Sequence, residues 1–320
     1  AISLAGIVFG ILLLLFSAYL TIVSIDVIIE ACRRTRLFKY EDVSVRLAGK
    51  GAARVLEASL LIFCFGTAVA YIVAVGDILD QGLKSIPYTW GSSLTAMYSR
   101  ERIMILFWAL IMFPLSLQRN VEALERFSSL GVLSIIFLVI AAVIHSVTHG
   151  VVIGEDRGTQ QTPQTDISTM LWPKSFWDII QAFPIIIFAF SCQVNVCAIY
   201  EELSTDDTDY AIYDAETELK AKQRAMKHIT RKGVMLCVTL YICIGLFGFL
   251  DFSHGTVDNI LNNYCIQQSH DPLMIAASAF VAVAVVVAFP FNILPARVTL
   301  KLILERMRKR RRCGSRPPFF

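Results

Sequence analysis

An all-α integral membrane protein is the fold class this sequence predicts, and three observations predict it. Of the 320 residues, 56% are hydrophobic and only 17% charged, with a mean hydropathy of +0.61, whereas soluble domains carry about 25% charged residues. Seven apolar stretches contain none of the 29 Lys and Arg residues. The basic residues between those stretches fall on alternate loops, 24 on one set against 5 on the other.

The stretches are 4–31, 55–80, 103–117, 127–148, 176–200, 233–252 and 272–296. Each is taken as a spanning helix of one transmembrane domain covering 1–320, because about 20 residues at about 1.5 Å rise cross a hydrocarbon core of about 30 Å. The third, 103–117, is short for that task. Cytoplasmic loops retain excess Lys and Arg. The loop from Arg33 to Arg54 and the polybasic segment 297–320 are therefore expected in the cytoplasm, and the first span enters from outside.

The net charge of +3 implies no nucleic-acid partner, since the basic residues flank membrane spans. The eight cysteines form no disulfide framework: five lie in spans and Cys265 alone lies in an outer loop. No spacing of Cys, His, Asp or Glu suggests a metal site, a cofactor or an enzyme. The chain opens Ala1-Ile2-Ser3 with no basic region before its first apolar stretch, which is too long for a signal-peptide core. It is taken as a true span with something missing upstream.

Span by span, Asp26 and Glu30 close the first helix at the inner interface, and Gly6 and Gly10 form a GxxxG. The loop that follows holds a short surface helix near Tyr40. In the second span Thr67 and Tyr71 stand one turn apart on one face. A tight inner turn over 118–126 makes the third and fourth spans antiparallel. After the fifth span, 201–218 carries eight acids and 220–232 six bases, the pattern of a solvated amphipathic helix. Arg306–Arg312 is a stop-transfer cluster whose charges also suit anionic lipid headgroups, at about 1 kcal/mol per basic residue near the surface.

The fifth span differs from its plain Leu, Ile, Val and Phe neighbours. Pro184 is followed by Ser191, Gln193 and Asn195 at membrane depth. Uncharged polar groups there must face protein or a water-filled cavity, and proline leaves a backbone carbonyl unpaired. A helix interrupted in mid-membrane presents N–H and C=O groups that suit the carboxylate and ammonium of an amino-acid zwitterion. A kinked span with interhelical hydrogen bonds satisfies the same pattern.

The run Phe188-Ala189-Phe190-Ser191-Cys192-Gln193-Val194-Asn195, followed by Ile199-Tyr200-Glu201-Glu202-Leu203, resembles the sixth helix of the amino acid/auxin permease family, which is related to the sodium-coupled neutral amino acid transporters. Its Gln193 and Asn195 version looks most like the amino acid permeases of trypanosomatid protozoa. The stretches 227–251 and 288–297 resemble the seventh and eighth helices. The resemblance implies part of a LeuT-type inverted-repeat transporter. The first helix and those from the ninth onward are absent, so the chain corresponds to the middle of such a protein.

It also implies a substrate site at the interrupted helix, formed by Phe188, Ala189, Phe190, Ser191, Gln193 and Asn195. Thr67 and Tyr71 are expected on the opposite wall. The substrate is an amino acid, and the absence of a mid-span acid in the second, fifth or seventh span favours a neutral side chain. Sodium-coupled relatives carry Thr before the inner Pro of the eighth helix, where this chain has Val286 and Ala288. Apolar side chains cannot coordinate a hard cation, so transport is expected without Na⁺, by coupling to protons or by facilitated exchange. The membrane is the plasma membrane or a vacuolar or lysosomal type.

Two other readings compete. A seven-helix receptor fits the count, but the third span ends Phe113-Pro114-Leu115-Ser116 with no acidic-Arg-aromatic triplet, and the seventh lacks Asn-Pro-x-x-Tyr. A non-transporting fragment or scaffold fits the missing first helix.

Overall fold

A computed structural model of the chain describes residues 1–84, 99–117, 121–149, 171–203, 215–252, 255–257, 259–264 and 272–314. These residues are helical apart from short connections. Most of the expected outer loop 150–175, much of the acid-rich 201–218, and Cys265 lie outside them, as do the side chains of Lys309–Arg312.

The elements run α1 Ile2–Ala5, α2 Ile7–Thr35, α3 Tyr40–Lys84, α4 Arg100–Phe107, a π-helical turn Trp108–Met112, α5 Phe113–Ser116 and α6 Val121–His149. They continue with α7 Phe176–Ala189, a 3₁₀ turn Gln193–Asn195, α8 Val196–Glu202, α9 Ala215–Phe252, α10 Ile260–Asn263 and α11 Pro272–Gly314. Among the described residues six helical segments are long and apolar enough to cross a bilayer: Ile7–Thr35, Tyr40–Asp80, Ser128–Thr148, Phe176–Glu202, Glu216–Phe252 and Pro272–Arg308.

The remaining expected span, 103–117, falls on consecutive pieces of eight, five and four residues. Pro114 has no N–H to give the preceding turn. The bonding there widens by one residue, and Phe113 N–H reaches back to Trp108 O. This segment is shorter than the other six.

Two glycines set the entry of the first spans. Gly6, at φ 75°, separates α1 from α2, and a Cβ there would stand 2.7 Å from the carbonyl oxygen of Leu171. The nearest neighbour of Gly10 is the Ile2 side chain, so this glycine pair does not seat a second long helix. Gly49, at φ 83°, kinks α3 and divides its first turns from the span. Those turns are the surface helix expected after Arg36.

Packing forms two connected groups. α9 lies along α2, and both meet α7 and α8 around Leu14, Ala18, Ile186, Phe190 and Val238, then around Ile29, Cys197, Tyr200 and Met226. α11 lies along α3 and α6, around Val75, Met112 and Phe289 on one side and Ala141, Met274 and Ala277 on the other. Contact between α9 and α6 joins the groups. Only 22–33% of each apolar window is buried inside the protein. The exposed Leu, Ile, Val and Phe far exceed the apolar patches that soluble monomers tolerate, and they suit a lipid surface.

Charge settles at one end. Glu30 accepts from Arg33 Nε at 3.1 Å, Arg34 Nε at 2.6 Å and Gln223 Nε2 at 2.7 Å. Asp26 lies 3.5 Å from Arg231 and 3.9 Å from Lys227. The buried carboxylates of Glu41 and Glu57 receive Thr299 and Arg306 of α11.

Candidate functional site

The expected interruption of the fifth span is present, displaced from its expected cause. α7 starts at Ser175, whose Oγ accepts from Trp177 N–H at 3.3 Å, and it runs through Pro184 without a break. Proline removes one bond, to Ile180 O, and the flanking turns hold the helix. Regular structure ends six residues later.

From Phe190 onward tighter bonds replace the i→i−4 ladder. Phe190 N–H bonds to Ile187 O at 3.1 Å, Ser191 N–H to Phe188 O at 3.1 Å, and Cys192 N–H to Phe190 O at 2.9 Å. Phe190, Cys192 and Asn195 sit at ψ near 0°, the sparsely populated bridge region. Among the described residues, no acceptor is found for the backbone N–H of Gln193 or Val194. Unpaired backbone N–H groups ahead of a helix start attract negative charge.

The expected site residues separate into three kinds. Gln193 and Asn195 are half-buried, and their amide side chains have no hydrogen-bond partner among the described residues. Each amide offers both donors and an acceptor. Ser191 Oγ turns back on its own helix, donating to Ile187 O at 3.1 Å. Phe190 is buried against α2 and α9, so its side chain belongs to the core. Phe188 remains exposed, and Ala189 contributes its carbonyl.

That carbonyl has a partner the sequence reading missed. Tyr241 of α9 donates its hydroxyl to Ala189 O at 3.0 Å, and its ring meets Phe190 edge-on with centroids 5.4 Å apart. A tyrosine in mid-span demands a partner for its hydroxyl, and that demand was a readable signal in Tyr241-Ile242-Cys243.

α3 faces the interruption through Phe63, whose ring lies 6.0 Å from that of Phe188. Thr67 is buried one turn on, but its hydroxyl donates to Phe63 O of its own helix at 2.8 Å. Tyr71 packs into the contact of α3 with α11 and the π-helical turn. A cavity of about 830 Å³ lies between α1, α3, α9, α10 and α11, walled by Ala70, Ala74, Gly245 and Gly248. It touches neither Gln193 nor Asn195. The polar chemistry belongs to the interrupted helix.

The second half of the motif holds α8 in place. Tyr200 is fully buried, packs on Phe38 with ring centroids 5.8 Å apart and donates to Leu219 O at 3.4 Å. Lys222 donates to Glu201 O at 2.8 Å. Cys197 lies with its sulfur 3.5 Å from that of Cys32 on α2.

Near Val286 and Ala288 the hydroxyl of Ser278 is also engaged within its helix, with Ile275 O at 2.8 Å. Asn292 of α11 donates to Cys64 O of α3 at 3.0 Å, and Arg297 to Ser116 O at 2.6 Å. Among the described residues no group of three or more His, Cys, Asp or Glu could hold a metal ion.

The profile of the family described as "Transmembrane amino acid transporter protein" matches residues 1–320. Solute carrier family 38 member 10 of Homo sapiens is 26% identical over 302 residues, which cover 93% of this chain and 24% of that protein. Amino acid transporter AVT6B of Arabidopsis thaliana is 25% identical over 272 residues, 82% of this chain and 54% of that protein. Vacuolar amino acid transporter 5 of Schizosaccharomyces pombe is 22% identical over 307 residues, 96% of this chain and 65% of that protein. The chain thus spans less than two thirds of the length of each of these relatives. No solved structure matches it.

Proposed function

The chain belongs to the transmembrane amino acid transporter protein family, and from that membership we propose that it serves secondary transport of neutral amino acids across a membrane. The supporting observation is the interruption between α7 and α8, with the amides of Gln193 and Asn195 unpaired among the described residues. The substrate carboxylate meets the N–H groups of Gln193 and Val194, and the amide side chains orient its backbone. Phe188 and Ala189 border the site, with Phe190 and Ser191 shaping the turn beneath. α3 supplies the facing wall through Phe63 and Tyr71, and Thr67 steadies the backbone there.

We assign the chain to a LeuT-type arrangement, with the segment from Arg100 to Ser116 as the third of its seven spans. The motif resemblance and the interrupted helix support this. Transport runs without Na⁺, by proton coupling or facilitated exchange, because Val286 and Ala288 offer no side-chain oxygen and Ser278 is engaged elsewhere. The basic loops and 297–320 face the cytoplasm, with anionic lipid headgroups near Arg306–Arg312. The named vacuolar relative favours a vacuolar-type membrane over the plasma membrane. The receptor reading finds no counterpart among the transporters this chain resembles.

The test is uptake of labelled neutral amino acids by the full-length protein carrying Gln193→Ala or Asn195→Ala. Loss of one ligating hydrogen bond, about 1.4 kcal/mol, lowers apparent affinity about tenfold at unchanged surface expression. Unaltered uptake in both variants removes α7 and α8 from the site. An epitope inserted near Gln160 should be reachable from the outer or lumenal side; access from the cytoplasm reverses the orientation.

A further inference from the structure

Far from the interruption, at the end of α9 opposite Lys227, a carboxylate is buried where three elements meet. The side chain of Asp251 is 6% exposed. Ser146 of α6 donates its hydroxyl to Asp251 Oδ1 at 2.6 Å, and Tyr264, just after α10, donates to Oδ2 at 3.4 Å. His145 of α6 presents Nδ1 at 3.8 Å from the same Oδ2, with its side chain 16% exposed. The rings of His145 and Tyr264 meet edge-on at 4.9 Å. Ser146 itself is fully buried.

A charged carboxylate in so little water requires compensation. Two hydroxyl donors supply part of it. An imidazole at 3.8 Å is too far for a hydrogen bond but near enough for strong attraction once it carries a proton. α11 faces this region with Met274, Ala277 and Val281, and α3 with Ile78. α1 has no ionisable side chain. Asp77 of α3 is bonded to Arg100, and Asp80 lies one turn beyond it. Histidine is the side chain that changes charge between about pH 5 and 8.

We propose that His145 and Asp251 form a proton-binding site whose occupancy fastens α6 to α9. The proton adds to the imidazole, converting a neutral–anionic contact into an ion pair held by Ser146 and Tyr264. It strengthens the contact that joins the two packing groups. When the proton leaves, the attraction is lost and those groups are free to shift against one another. The site is thus the place where a proton gradient acts on this fold. This consequence rests on the transport reading; proton binding itself does not.

The experiment uses the chain in lipid nanodiscs with labelled histidines, followed by magnetic resonance across pH. The sequence has five histidines, and His145→Gln identifies the relevant signal by its loss. Asp251→Asn should move that signal's midpoint by about one pH unit; an unmoved midpoint overturns the inference. Thermal stability gives a second measure in case the Asn variant does not fold. Wild type should gain stability on acidification, and His145→Gln should lack that gain. Parallel profiles overturn the proposal. Stabilisation by Na⁺ at fixed pH that Asp251→Asn abolishes would assign the cluster to a metal cation and overturn it equally. In the full-length protein, His145→Gln should flatten the pH dependence of uptake. A protein that titrates as described yet moves no amino acid retires the transport reading and leaves the proton site standing.

Discussion

Tyr241 and Ala189 are joined by a 3.0 Å hydrogen bond from the phenol of α9 to the last carbonyl of α7. The bond occupies an acceptor that the interrupted helix no longer satisfies from its own backbone. It ties the break to α9, which also packs along α2 and α6. Tyr241→Phe keeps the ring contact with Phe190 and removes only this bond. The variant should lose about 1–3 kcal/mol of stability, the cost of an unsatisfied acceptor away from water. Thermal melting in nanodiscs measures it, and wild-type melting would show that another donor replaces the phenol.

Two residues one turn apart on α3 should respond differently. Thr67 spends its hydroxyl on Phe63 O, so Thr67→Val removes a local bond and keeps the shape. It should change uptake less than twofold. Phe63→Ala removes the ring that meets Phe188 and should weaken substrate affinity clearly. The opposite ranking would put the Thr67 hydroxyl, and not the Phe63 ring, on the substrate.

Sodium is expected to be dispensable. Replacing Na⁺ by choline at fixed pH should leave uptake of neutral amino acids unchanged, because Val286 and Ala288 give no side-chain oxygen ligands. A saturable return of uptake with added Na⁺ would mean that backbone carbonyls alone build a cation site.

Glu30 gathers Arg33, Arg34 and Gln223 into one cluster between α2 and α9. Glu30→Gln keeps the shape and removes the charge, leaving Arg33 to Glu216 alone at 2.9 Å. A loss of about 1–3 kcal/mol is expected from charge-assisted bonds in a partly buried setting. Melting at low and high salt separates direct bonding from long-range attraction, since salt screens only the latter.

The thiols of Cys32 and Cys197 lie 3.5 Å apart and are both buried. Copper phenanthroline with oxygen should join them as a disulfide, the two thiols losing their protons and electrons to the oxidant. The product fixes α8 on α2. Peptide mapping should find the cross-link in wild type and not in Cys32→Ser, and cross-linked full-length protein should transport more slowly. Undiminished uptake after complete cross-linking would show that α8 stays on α2 throughout the cycle.

Much of the molecule was legible in the sequence. Apolar runs of about 20 residues allow little but spanning helices, since every backbone group in lipid must bond within its own segment. Six of the expected spans accordingly coincide with long helices. The position of the break was readable as well, because Ser191, Gln193 and Asn195 are costly at membrane depth unless they serve a purpose. Its cause was not. Pro184 looked like the breaker, yet the helix passes through it and yields at Phe190, where backbone bonding tightens and Tyr241 takes the freed carbonyl. Which face of α3 meets α7, and which buried acid meets which histidine, depends on pairs such as Phe63 with Phe188 and His145 with Asp251. Those partners lie more than a hundred residues apart in the chain. Hydrophobic periodicity sets which residues leave water, but it carries no information about the neighbour they leave it for; helix packing decides that.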